Sequence, residues 1–176
     1  MSALWTRRLS QWASWPRIVA LGVAVVVFNV GLLPHMAPLG LDFLPDTHFA
    51  YRPETLAHWL AAYSPAARQQ TLWGHLTLDA LYPCLYGSLL ALLLARSWGP
   101  RFSGWWVWLP LAGVLCDYGE NIVLAVLLGR WPAWSPTLAW VAGALTTAKW
   151  LFIFGTLGAI LGGFLIRGLE ALRQRA

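Results

Sequence analysis

Four apolar runs, each long enough to cross a bilayer, constrain this chain more than any other feature. They cover about 17–35, 72–95, 104–128 and 137–166. A helix needs ~20 apolar residues to span the hydrocarbon core. The rest of the chain offers too little polar material for a water-facing surface. Hydrophobic residues make up 59% and charged residues 11%, against about 25% charged in a soluble domain. The chain therefore reads as one all-α membrane domain, a four-helix transmembrane bundle.

The flanks of the runs support this reading. Many of the 13 tryptophans cluster at span ends, including Trp12, Trp15, Trp73, Trp98, Trp105, Trp108, Trp131 and Trp140, as expected of interfacial belts. Arg7, Arg8, Arg17, Arg96, Arg101, Arg167, Arg173 and Arg175 fall on one side. Arg52, Arg68 and Arg130 fall on the other, beside Asp42, Asp46 and Glu54. The positive-inside rule then places both termini in the cytoplasm. The net charge of +5 forms no basic patch, so nucleic acid is not an expected partner and membrane lipids are. The N-terminal run is longer than the ~7–15 residues of a cleaved signal core and is kept as a span. Cys84 and Cys116 fall inside spans and read as buried free thiols.

The long connection, 37–71, is expected to form an outer cap. Arg52-Pro53-Glu54 has the Pro and the acid of a helix start. Leu56, Trp59, Leu60 and Tyr63 follow at helical spacing, which predicts a short amphipathic helix on the membrane surface or over the bundle. Ser64-Pro65 is a second start, so the second span is free to begin there. Residues 42–51 read as an ordered loop over the outer mouth.

Against this apolar background, Asp79, Asp117, Glu120 and Lys149 stand inside spans. A charge in hydrocarbon costs at least ~2.5 kcal/mol, so these groups need one another or a ligand. Depth brings them together: counted at 1.5 Å per residue from the outer helix ends, all four fall roughly 10–18 Å below the outer surface. Helical face does the same. His75, Asp79, Tyr82 and Tyr86 make one stripe, and Asp117, Glu120 and Asn121 another. Thr146, Lys149 and Thr156 make a third that Ile153 interrupts. Asn29 is the candidate from the first span, and Trp150 is the tryptophan deep enough to wall a ligand site. Pro83 cannot donate to the Asp79 carbonyl, which predicts a kink there and a freed acceptor. Pro110 is placed to bend the third span. Gly158 and Gly162 permit close helix approach, within the bundle or in a homodimer.

Asp79, Asp117, Glu120 and Lys149 are the expected acid/base groups, with His75, Tyr82, Tyr86, Asn121, Thr146 and Trp150 as ligand-binding residues. Three carboxyls outnumber one lysine, so the layer needs a proton or a cation. His75 with the carboxylates offers metal ligands, but one histidine and a competing lysine point away from a metal. His35, His48 and His58 lie in or near the outer loop and suit no haem; no cofactor is expected. A packing network is the plain alternative.

The stretches Leu78-Asp79-x-x-Tyr82-Pro83-x-x-Tyr86-Gly87, Asp117-x-x-Glu120-Asn121-x-x-Leu124 and Thr146-x-x-Lys149-Trp150, with Tyr51-x-Pro53-Glu54, together resemble a family of small four-span bacterial membrane proteins. The resemblance runs from Leu41 to Trp150. It implies the fold and a bacterial inner membrane, and it carries no activity. Size and layout are also similar to sterol-isomerase-type bundles, without their specific pattern. The reading expected from the residues is binding or acid/base transformation of a lipid or isoprenoid-like amphiphile, entering between the second, third and fourth spans. A proton- or cation-coupled transporter or channel subunit is the first alternative. A non-catalytic assembly subunit is the second.

Overall fold

A computed structural model describes residues 3–175. Among them there are helices and turns and no strands. Helix α1 (Ala3–Trp12) precedes the first span; no helix is expected there from the sequence, because no apolar run marks it. The first span, α2 (Trp15–Met36), begins as an α-helix, widens through a π-helical turn at Phe28–Leu32 and closes with a single α turn. Helix α3 (Pro53–Ala62) lies in the long connection. The second span divides into α4 (Pro65–Leu76) and α5 (Leu78–Trp98). The third starts as a 3₁₀ turn at Gly104–Val107 and continues as α6 (Trp108–Arg130). The fourth is α7 (Pro136–Arg173). All four spans are long and apolar enough to cross a membrane.

Local chemistry sets these boundaries. Ser64 Oγ accepts from the Ala67 amide at 3.2 Å and Pro65 follows it, so α4 starts where the capping pattern predicts. Ser135 and Pro136 start α7 in the same way. Pro53 and Glu54 open α3. Of the two placements expected for α3, the structure has it over the bundle. Leu56, Trp59 and Leu60 are buried with Leu124, Leu127 and Leu128 of α6 and Ala139 and Ala142 of α7. Six tryptophans at the span ends stay exposed: Trp12, Trp15, Trp73, Trp105, Trp108 and Trp140, as a belt requires.

Helices α6 and α7 form the most extensive pair, and α5 packs on both. Helix α2 leans on α5 and meets α7 sparsely, with Trp15 stacked on Phe164 at the inner end. Two close approaches depend on glycine. A Cβ at Gly87 would meet Val114 Cγ2 at 2.5 Å, where α5 crosses α6. A Cβ at Gly143 would meet the Tyr51 carbonyl oxygen at 2.6 Å, so α7 seats the loop backbone directly. Gly143→Val should therefore lower stability by about 1–3 kcal/mol, measured as thermal unfolding in detergent. Gly158→Val, with open space around it, should leave the midpoint unchanged. Equal effects would contradict this seating.

Four expectations are corrected here. The second span breaks at Thr77 (φ −121°, ψ −78°), before Asp79 rather than at it, and α5 then runs on through Pro83. Pro110 falls in the first turn of α6, where its missing N–H costs nothing, so the 3₁₀-to-α junction replaces a mid-helix bend. Gly158 and Gly162 face open space, so close approach within the bundle falls instead to Gly163, where a Cβ would meet Ser97 Oγ at 2.8 Å. Cys84 is exposed on the side of the bundle rather than buried, and Cys116 is half-buried; both are free.

Candidate functional site

Lys149, 4% exposed, organises a buried cluster of opposite charge. Its Nζ lies 2.7 Å from Glu120 Oε2, 2.8 Å from Asp46 Oδ1 and 3.4 Å from Asp117 Oδ1. Nζ donates to Asp46 and Asp117 and pairs with Glu120 by charge, so three carboxylates enclose it. Asp117 Oδ2 accepts from the Tyr86 hydroxyl at 2.9 Å. Glu120 Oε1 accepts from the Thr146 hydroxyl and, at 3.4 Å, from the Tyr51 hydroxyl.

A second centre lies beside it. His75 Nδ1 is 3.2 Å from Asp79 Oδ2, 3.1 Å from Asn121 Oδ1 and 3.5 Å from Asp46 Oδ2. Three oxygens around one ring nitrogen place the proton on Nδ1. Asn121 Nδ2 reaches the Asp79 carbonyl at 3.4 Å. This is the acceptor that Pro83 frees, so the expected consequence of the proline is met by a side chain of α6. The Tyr118 hydroxyl takes the next carbonyl, Ala80, at 2.9 Å. On α2, Asn29 sits in the π-helical turn and donates to the Val25 carbonyl and to the Tyr82 hydroxyl, both at 2.8 Å. Such turns occur often at functional sites.

All ten expected site residues belong to this region, in two layers. Asp79, Tyr82, Tyr86, Asp117, Lys149 and Trp150 line a cavity of about 400 Å³, together with Val25, Asn29 and Leu33 of α2, Asp46 and Thr47 of the loop, and Leu89, Leu90 and Ile153. His75, Glu120, Asn121 and Thr146 stand behind that wall and hold it through the bonds above. His75 is 2% exposed and internal, not an interfacial group at the mouth. Thr156 of the third stripe bonds only the Phe152 carbonyl of its own helix and takes no part. The cavity is lined by α2, the loop, α5, α6 and α7, so the first span joins the three spans expected to border it. On the side away from the loop its wall becomes apolar, at Val25, Leu89, Leu90 and Ile153.

Asp46 and Tyr51 are the residues that sequence reasoning missed. Both lie in the outer loop, where no periodicity reports on burial. The loop turns back through two 3₁₀ turns, Leu41–Phe43 and Pro45–Thr47. The Thr47 hydroxyl bonds the Leu41 and Leu44 carbonyls at 2.8 Å each, and Leu44 is wholly buried. This plug carries Asp46 down onto Lys149. Burial pushes the Asp46 carboxyl up, but Lys149 and His75 pull it further down, so it sits below its ordinary value of 3.8. Burial, with Glu120 beside it, raises the Tyr51 phenol and keeps it a donor. The usable signal was Leu44-Pro45-Asp46-Thr47, a hydrophobic anchor and a turn around one acid.

The site thus holds four carboxyls, one ammonium and one imidazole. Asp46, Asp117 and Glu120 converge closely enough to be metal ligands, as do Asp46, His75 and Asp79. In the first set Lys149 Nζ already occupies the position a cation would take. Two buried atoms on the cavity wall lack hydrogen-bond partners among the described residues, Asp46 Oδ2 and Trp150 Nε1. The arrangement combines proton-carrying groups with a dry, apolar lower half. Family models, curated proteins and solved structures give no match to this chain. What the chain does must therefore be argued from the geometry.

Proposed function

We propose that this multi-pass membrane protein binds, and by acid/base chemistry transforms, a lipid or isoprenoid-like amphiphile in the cavity between α2, α5 and α7. One observation carries the reading: a single cavity is lined by Asp46, Asp79, Asp117 and Lys149 near the loop and by Val25, Leu89, Leu90 and Ile153 further from it. A molecule entering from the bilayer would lay its tail on Val25, Leu89, Leu90 and Ile153. Its polar end would meet Asp79 and Asp117. A positioned carboxyl can pass a proton to or from a bound ligand. Asp79 and Asp117 line the cavity and are the groups for that role; Lys149 and Tyr86 hold Asp117 in place. The volume suits such a ligand, since small-molecule sites run ~300–1,000 Å³.

Transport receives less support. A relay needs polar groups on both sides of the membrane, and below Tyr86 the buried hydroxyls of Ser97 and Thr156 each bond their own helix. In keeping with the arginine distribution and the family resemblance, we place the protein in a bacterial inner membrane with both termini cytoplasmic.

The test is retention of native lipid. Protein purified from membranes is released from detergent and weighed intact by native mass spectrometry, and bound species are identified. One lipid class should dominate on wild type. Asp79→Asn and Asp117→Asn should each reduce it at least about tenfold, the loss of one charge-assisted contact. Ile153→Trp, which fills the apolar half, should abolish it. An unchanged lipid profile in all three variants would refute the proposal.

A further inference from the structure

We infer that the polar end of the molecule held in this cavity is a nitrogen cation, so that the occupant is a hydrophobic amine or an amine-headed lipid. The inference rests on the amphiphile reading above and narrows it to a headgroup.

Three observations converge on it. First, the charge is unbalanced in one direction. Asp46, Asp79, Asp117 and Glu120 face Lys149 and His75, which leaves a net charge of −2 when all six groups are ionised. A buried surplus of negative charge is complementary to a cation and repels an anion. Second, the site has no free cation to offer a phosphate or carboxylate head. The ammonium of Lys149 is already enclosed by three carboxylates, and no arginine lines the cavity. The one unpartnered donor on its wall is the Trp150 indole N–H.

Third, an acceptor is waiting. Asp79 is 3% exposed and lines the cavity. Its Oδ2 faces His75, while Oδ1 makes no hydrogen bond among the described residues. An unpaired carboxylate oxygen on a largely buried side chain is costly unless a donor arrives, and Asp46 Oδ2 on the same wall is enclosed without a partner. The rings of Tyr82, Tyr86 and Trp150 line the same cavity, and aromatic walls favour ammonium groups over neutral ones. The apolar part of the wall, Val25, Leu89, Leu90 and Ile153, then requires the rest of the molecule to be a hydrocarbon.

The experiment compares three probes of one chain length: hexadecylamine, hexadecanol and hexadecyl phosphate. Each is added to the full-length protein in phosphatidylglycerol nanodiscs. Saturable binding is measured as one adduct per protein by native mass spectrometry, with empty discs correcting for partition. The amine should bind at least about tenfold more tightly than the alcohol, roughly one charge-assisted contact, and the phosphate should not bind saturably. Asp79→Asn, which keeps shape and removes charge, should erase the preference between amine and alcohol. Ile153→Trp should block every probe, and thermal midpoints near wild type would show that both variants are folded. Alcohol bound as tightly as amine, or saturable phosphate binding, would overturn the headgroup inference while leaving the amphiphile reading intact. So would an amine preference that survives in Asp79→Asn. If no probe binds saturably, both readings fall.

Discussion

Replacing Lys149 with methionine is expected to lower the thermal midpoint by roughly 6–20 °C. Removing one partner of a buried ion pair costs about 3–5 kcal/mol, and each kcal/mol shifts a domain of this size by roughly 2–4 °C. The cost is high here because the single ammonium serves Asp46, Asp117 and Glu120 together. Its loss strands three carboxylates in a site that is almost dry. Methionine fills most of the volume, so the effect isolates charge from packing. Unfolding in detergent at neutral pH measures it. The same substitution should be far milder at acid pH, where protonation discharges the stranded oxygens. A midpoint within about 2 °C of wild type at neutral pH would mean that Lys149 does not hold the cluster.

Asp46→Ala is expected to release the outer plug while leaving the bundle folded. The lost contacts are to Lys149 at 2.8 Å and His75 at 3.5 Å, and truncating one partner of a buried charge pair costs about 2–5 kcal/mol. Hydrogen exchange reads this locally. The amides of Phe43, Leu44, Thr47 and His48 are all hydrogen-bonded within the loop, and they should lose protection while those of α6 and α7 keep it. In wild type the same change should appear with pH. The folded-state pKa of Asp46 is depressed, so its stabilisation is complete above its ordinary value of 3.8 and fades as pH falls through the lower folded value. Protection should be flat from about pH 5 to 8 and fall below about pH 4. Unchanged exchange at 43–48 in Asp46→Ala would show that the plug is seated by Leu44 alone.

The two variants separate parts of the molecule that are read with different ease. Lys149, Asp117 and Glu120 announce themselves because a charge within twenty apolar residues has few tolerable surroundings. Helical periodicity then gives its face, and the rise per residue gives its depth. The same arithmetic places Asp79, Tyr82 and Tyr86 on one stripe, and Pro83 marks the free carbonyl that Asn121 takes. Asp46 announces nothing. An acid in a loop is ordinary, and only the two 3₁₀ turns that fold the loop inward bring it to Lys149.

The share of the first span in the site was hidden for a related reason. Sequence indicates which face of a span is polar, but not how far apart two spans sit. Helix α2 joins the cavity wall because it leans on α5, with Asn29 bonded to Tyr82 and Phe28 stacked on the same ring at 4.4 Å. The glycine pair at 158 and 162 shows the limit from the other side. Its spacing allows close packing, but the rotation of α7 turns it outward and presents Gly163 to Ser97 instead.

By itself, then, the sequence determined the four spans, the cap helix and the layer in which the charges had to meet. Those follow from hydropathy, local propensity and the period of a helix, which act within one segment. The tertiary structure decided the fourth carboxylate, the unpaired oxygen of Asp79 and the part α2 takes in the cavity wall. Those depend on contacts between segments far apart in the chain, where no local rule specifies the distance.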